Sequence, residues 1–149
     1  MKIQKQLTEK IKEAMKSKDV LALKALRALK SAFMLVNTER GGEELSDEEE
    51  LKIVQKQVKQ RKDSALIFSD QGRSDLAEPE LAEASVLEQF LPKALSKEEI
   101  EEVVNDIIRD TKADGIKDMG KVMGVASKKL VGKADGKIIS TIVKSKLVK

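Results

Sequence analysis

Read for the spacing of its apolar residues, the chain is a succession of helices. Ile3, Leu7, Ile11 and Met15 recur at helical spacing and predict a first amphipathic helix that stops near Ser17 or Lys18. Asp19 is placed to cap a second helix, from about Val20 to Asn37. Its stripe is Leu26, Leu29, Phe33 and Val36, and its Ala22 and Ala25 let a neighbour come close. Gly41-Gly42 breaks the pattern, and Ser46 with Glu49 three residues on forms a capping box, in which each side chain satisfies the other residue's backbone N–H. The box opens a long third helix, about Asp47 to Asp70, with Leu51, Val54, Val58, Ala65 and Phe68 facing inward. Gln71-Gly72 ends it, and Ser74 or Asp75 starts a fourth helix with Leu81, Ala84, Leu87 and Leu91 inward. Pro79 has no N–H to give, so this helix is expected to kink, or to restart with Pro79 at its first position.

Pro92 closes that segment. Ser96-Lys97-Glu98-Glu99 is a second capping box, with Leu95 and Ile100 as the hydrophobic staple across it, and a second domain is expected to begin there. Ile100, Val103, Val104, Ile107 and Ile108 fall on one helical face that ends before Gly115, and the acidic turn Glu98 to Glu102 complements the helix dipole. Two further helices are predicted, about Met119 to Val131 and Gly136 to Val148. The expectation is therefore an all-α protein. A helical N-terminal domain of about four helices, residues 1–94, precedes a small three-helix bundle, residues 95–149.

Composition agrees and narrows the chemistry. Aromatic residues make up 2% of the chain, which argues against a β-sandwich or barrel, while 40% hydrophobic residues supply a core. With no Cys and no His, thiolate nucleophiles, imidazole bases, disulfides and the usual zinc ligands are excluded together, and no metal or cofactor site is expected. No segment approaches the roughly 20 apolar residues that span a bilayer, so a soluble cytoplasmic protein is expected. The net charge of +3 is unevenly spread: residues 96–116 hold three basic and seven acidic groups, whereas residues 117–149 hold nine basic and two acidic. That basic block suits a polyanion.

Placed on a helix at about 100° per residue, Lys117, Gly124 and Lys128 fall within about 60° of Lys121, provided the helix already includes Lys117. Met119, Val122, Met123, Ala126 and Leu130 occupy the opposite side as a core stripe. Gly124 thus stands among lysines, where glycine costs about 1 kcal/mol relative to alanine. Gly120 lies on the flank, four residues before it. Packing against a neighbouring helix is one account of the two glycines, better for Gly120 than for Gly124. The other is a ligand that approaches the backbone.

Gly132 suits a helix C-cap and Asp135 the next N-cap, while Lys133 and Lys137 have no such role and, with Lys129, extend the basic surface. In the last helix, Lys137, Thr141 and Lys144 share a polar arc opposite Ile138, Ile139, Ile142 and Val143. A phosphate loop is excluded, because Gly132 and Gly136 are separated by three residues rather than four and Ile138 stands where Ser or Thr should be. Phe33, Phe68 and Phe90 all lie at apolar helical positions in the first half, so the basic half has no stacking platform. Structured RNA recognised by shape and phosphates fits better than single strands.

Several separated stretches carry a resemblance. Gly132-Lys133-Ala134-Asp135-Gly136-Lys137 with the following Ile-Ile-Ser-Thr looks like the tail domain of GatB, a component of the tRNA-dependent amidotransferase. Together with Lys59 to Ser64, Gly72 to Leu76, Leu87 to Pro92 and Lys117 to Gly124, the whole chain resembles the free-standing members of the GatB/YqeY family. The resemblance implies a helical domain joined to a small tail domain which, in GatB, helps hold the tRNA while other domains do the chemistry. Those domains are missing here, so a carbon-nitrogen ligase label with glutamine as amido donor would be inherited from the shared tail. Two positions depart from the family pattern: Phe90 stands where Tyr is common, and Pro79 interrupts a stretch usually free of proline.

The expected function is a non-catalytic module that binds tRNA or structured RNA, accessory to aminoacylation or tRNA-dependent amidation. Its candidate contacts are Lys117, Gly120, Lys121, Gly124, Lys128, Lys129, Lys133 and Lys137. The alternative is a protein interaction module acting through the N-terminal helices, including the face of Lys24, Arg27 and Ser31. An amidase is the weakest reading, because Ser64, Ser85 and Ser127 belong to no Ser-Ser-Lys arrangement. No catalytic residue is assigned.

Overall fold

The computed structural model describes residues 2–148, which among them form seven α-helices and no strand. In chain order these are α1 (Lys2–Ser17), α2 (Val20–Glu39), α3 (Asp47–Asp70), α4 (Ser74–Glu88), α5 (Lys97–Thr111), α6 (Met119–Lys129) and α7 (Gly136–Leu147). A 3₁₀ turn, Ile116–Asp118, precedes α6. The chain divides into two compact units, Met1–Leu91 and Pro92–Lys149, each with its own hydrophobic core.

The helix starts are set locally. Asp19 accepts the Ala22 N–H at 3.1 Å, and Ser46 and Ser96 both form complete capping boxes, with Glu49 and Glu99 returning to the cap backbone at 2.9 and 3.1 Å. These backbone N–H bonds, joined at Glu49 by the Arg40 guanidinium, hold both carboxyls below the usual range. α4 starts at Ser74, as expected, but without a side-chain cap. Arg73 stands at the N-cap with no side-chain cap bond, and its guanidinium instead pairs with both oxygens of Asp75, lowering that carboxyl. Nor does the helix restart at Pro79: α4 runs through it. The proline withholds one N–H from the Asp75 carbonyl, at an exposed position.

In the first unit Ile3, Leu7, Leu26, Leu29, Phe33, Val54, Val58, Leu87 and Phe90 form the core. Phe33 and Phe90 are thus packing residues, and Phe68 is half-buried. Two positions read as inward are exposed, Met15 and Leu81. A strict four-residue repeat advances about 40° per step on a helix, so Met15 ends about 120° from Ile3, and Ala14, about 20° from it, is buried instead. In α4 the packed side is that of Leu87 and Glu83, and Leu81 lies about 60° beyond Ala84 in the other direction. Glu83 is buried because two cations meet it. Lys24 Nζ of α2 lies 3.4 Å from one oxygen and Arg61 Nε of α3 lies 3.5 Å from the other, so one carboxylate joins three helices. Arg61 is held in turn by Nη1 donating to the carbonyl and side-chain oxygens of Gln57 at 3.1 and 3.0 Å. Glu50, also buried, accepts the Gln4 N–H at 3.1 Å and ties α3 to α1.

The second unit packs α5, α6 and α7 around Ile100, Val104, Ile107, Val122, Ala126, Leu130, Ile139, Ile142 and Val143, with Leu95 and Met119 at the margin. Ile138, read as inward, is about half exposed, because it lies about 100° around α7 from Ile139 and the packed arc extends the other way, to Val143 and Leu147. The Leu95 N–H donates to the Lys133 carbonyl at 3.0 Å, fixing the chain ahead of α5 against the turn between α6 and α7.

Candidate nucleic-acid interface

The α6 helix owes its start to the loop before it. Gly115 adopts φ +85°, which favours glycine, and the Asp118 carboxylate accepts the Asp114 N–H at 2.7 Å while its own N–H donates to the Gly115 carbonyl at 3.1 Å. This closed loop delays the α-helix to Met119. Lys117 consequently sits in the 3₁₀ turn, outside the register that would align it with Lys121, and the narrow face predicted for Lys117, Lys121 and Lys128 loses its first member.

Beyond the turn, the predicted division of α6 is found. Val122 and Ala126 are buried, Met119 and Met123 pack at the core margin, and Gly120, Lys121, Gly124, Lys128 and Lys129 are exposed. Those five residues and Val125 line one shallow, open depression of about 490 Å³ on the outside of the helix. Val125 was not singled out from the sequence, although a position about 40° from Lys121 puts it on the same side. Lys117, Lys133 and Lys137 do not line the depression. Lys133 stands in the turn between α6 and α7, and Lys137 in the first turn of α7, where its N–H donates to the capping Asp135 at 3.0 Å. Gly132, at φ +74°, makes the bend between α6 and α7.

The two glycines of α6 stand in open space. A Cβ built on either Gly120 or Gly124 meets, beyond its chain neighbours and the helix's own backbone, no atom of the described residues within 4 Å. Neither glycine has the positive φ that would call for it, and among the described residues neither makes room for another helix of the second unit. Among the described residues, close packing against a neighbouring helix of the second unit is therefore ruled out for both. They leave the backbone of a lysine-bearing helix bare.

The lysines differ from one another. Lys121 Nζ donates to the Thr111 carbonyl at the end of α5, 3.2 Å away, placing a cation at the negative end of that helix. Among the described residues Lys117, Lys128, Lys129, Lys133 and Lys137 have no ion-pair partner. Surface lysines without an ion pair are open to an anion in solution. Among the described residues no group of Asp and Glu is placed to hold a metal ion, and no helix is long and apolar enough to cross a membrane.

With this geometry in hand, comparison with known proteins is specific. The model of the YqeY-like protein family matches residues 4–147, nearly the whole chain. The chain belongs to the YqeY-like family. Two kinds of relative accompany the match. A subunit of the glutamyl-tRNA(Gln) amidotransferase of Thermococcus gammatolerans is 40% identical over 73 residues, 46% of this chain and 12% of that subunit, in the C-terminal tail region. Altered inheritance of mitochondria protein 41 of Clavispora lusitaniae is 36% identical over 107 residues, 70% of this chain and 61% of that protein. The corresponding protein of Pyrenophora tritici-repentis is 28% identical over 127 residues, 83% of this chain and 68% of that protein. The YqeY-like chain thus spans only a small part of the amidotransferase polypeptide it matches.

Proposed function

We propose that this YqeY-like protein is a non-catalytic module that binds tRNA or another structured RNA through the outer face of α6. Residues 95–149 act as the binding domain, in the manner of an amidotransferase tail, and residues 1–94 as a separate helical domain. Lys128 and Lys129 meet phosphates, Lys133 and Lys137 extend the contact beyond the helix, and Gly120 and Gly124 let the sugar-phosphate backbone reach the helix itself. Lys117 and Lys121 flank this track. The observation that carries the reading is the pair of α6 glycines, which stand in open space between unpaired lysines and which folding does not require.

The match to an enzyme named for glutamyl-tRNA(Gln) supports tRNA as the RNA and amidation as the process served. The reading gives this chain no chemical step, places it in the cytoplasm and needs no cofactor. Its test is Gly124→Ala. Alanine gains about 1 kcal/mol of helix stability, which in a unit of this size raises Tm by about 4–8 °C. Binding of unmodified tRNA, followed by fluorescence anisotropy at low salt, is expected to weaken in the same variant. A variant that is more stable and binds tRNA as well as the parent would sink the role given to Gly124, and a parent that binds no tRNA at low salt would sink the whole reading.

A further inference from the structure

A second exposed face lies on α2, far from α6 in sequence. Surface helices carry their apolar residues on one side, but α2 carries them all round. Leu26, Leu29 and Phe33 are buried, yet on the opposite side Val20 is 78% exposed, Met34 58% and Leu35 62%. At about 100° per residue Val20, Lys24, Arg27, Ser31 and Met34 fall within about 80° of one another. They also recur at alternating intervals of four and three residues, the spacing of a helix-pairing seam. α1, α3 and α4 pack on the other side of α2, and every residue of this seam is exposed.

The order of residues along the seam selects the occupant. Its apolar side chains are at the two ends and its cations in the middle. Val20 and Met34 are separated by about 21 Å of helix, with Lys24 and Arg27 between them. A helix lying in a lipid interface sinks an apolar centre and lets cations reach outward from its edges, the reverse of this order. A second copy paired seam to seam offers nothing to the cations either, because the α2 seam contains no carboxylate. Lys24 remains 76% exposed although it approaches Glu83, and Arg27 has no carboxylate partner among the described residues.

We propose that the outer face of α2 docks a partner protein's amphipathic helix that carries carboxylates midway between two apolar anchors. The anchors cover Val20 and Met34 with Leu35, and the carboxylates meet Arg27 and Lys24. This surface belongs to the first unit and draws on none of the lysines of α6.

The test uses the full chain and a synthetic helical peptide of about 20 residues, the length of α2. The peptide has Leu at both ends of its seam and Glu in the middle; a control carries Lys in place of Glu. Anisotropy titrations are expected to show saturable binding of the acidic peptide only, weakened at least about tenfold by Arg27→Glu and also by Met34→Glu. Lys128→Glu is expected to leave it unchanged, and circular dichroism verifies that each variant is folded. Methyl chemical shifts of Val20, Met34 and Leu35 are expected to move on binding. Equal binding of both peptides, no binding of either, or binding that Arg27→Glu does not weaken overturns the proposal. So does association of α2 with phosphatidylglycerol vesicles, or a dimer in sedimentation that Arg27→Glu or Met34→Glu dissolves.

Discussion

The outer faces of α2 and α6 are both basic and both uncovered, but they are built in opposite ways. On α2 every exposed position bears a side chain, and its cations sit between large apolar groups. On α6 the exposed positions alternate between lysines and glycines, so the face is a row of charges over open backbone. A partner on α2 meets shape and hydrophobic area, whereas a partner on α6 meets charge and the polypeptide itself. On the two proposals, net charge alone does not distinguish a protein surface from a nucleic-acid surface. What stands between the charges does.

The largest expected effect separates the two faces directly. The double substitution Lys128→Glu with Lys129→Glu is expected to weaken tRNA binding by more than about tenfold and to flatten the slope of log K against log salt by about 0.7–0.9 for each phosphate no longer neutralised. Arg27→Glu in the same titration is expected to leave tRNA affinity unchanged. If Arg27→Glu weakens tRNA binding as much, the two faces are one polyanion surface and the contrast collapses.

Next in size is the stability of the caps that hold each unit. Ser96→Ala, which removes half of the box starting α5, is expected to cost about 1 kcal/mol in the second unit, and Ser46→Ala a similar amount in the first. Urea melts of the full chain check both. A change in tRNA binding with Ser46→Ala would show that the first unit contributes to the RNA surface.

The smallest expected effect is in pH. Glu49 and Glu99 have folded-state pKa values below their unfolded ones, so each contributes stability that is fully present above the unfolded value of roughly 4.3 and is lost as pH falls through the folded value. Glu99→Gln keeps an oxygen for the Ser96 N–H and removes the titration. Its melting temperature is expected to fall less steeply below pH of about 4 than that of the parent. An unchanged acid slope would mean that the box does not govern the acid response of the second unit.

Much of this was legible in the sequence because it is local. Asp19, Ser46, Ser96 and Asp135 act within three residues of themselves, and all four cap the helices expected of them. The division of α6 into a buried stripe and a lysine-glycine face follows from helix geometry alone, and the exposure of Met15 follows from its drift around α1. The Glu83 cluster was not legible, because its members come from three helices and no periodicity records which helices are neighbours. The fate of Lys117 turned on one side chain, that of Asp118, choosing the Asp114 N–H. What sequence could say of Gly120 and Gly124 was that they were costly. That their surroundings are empty required coordinates.

The bond from Lys121 to the Thr111 carbonyl makes this lysine a shared donor. An ammonium that seals the end of one helix and borders the track on another cannot turn fully to a phosphate without releasing that carbonyl. On the proposed reading, occupancy of the α6 face would be linked to fraying at the last turn of α5, and amide exchange near Thr111 and Lys112 would report RNA binding from a helix that the RNA need not touch.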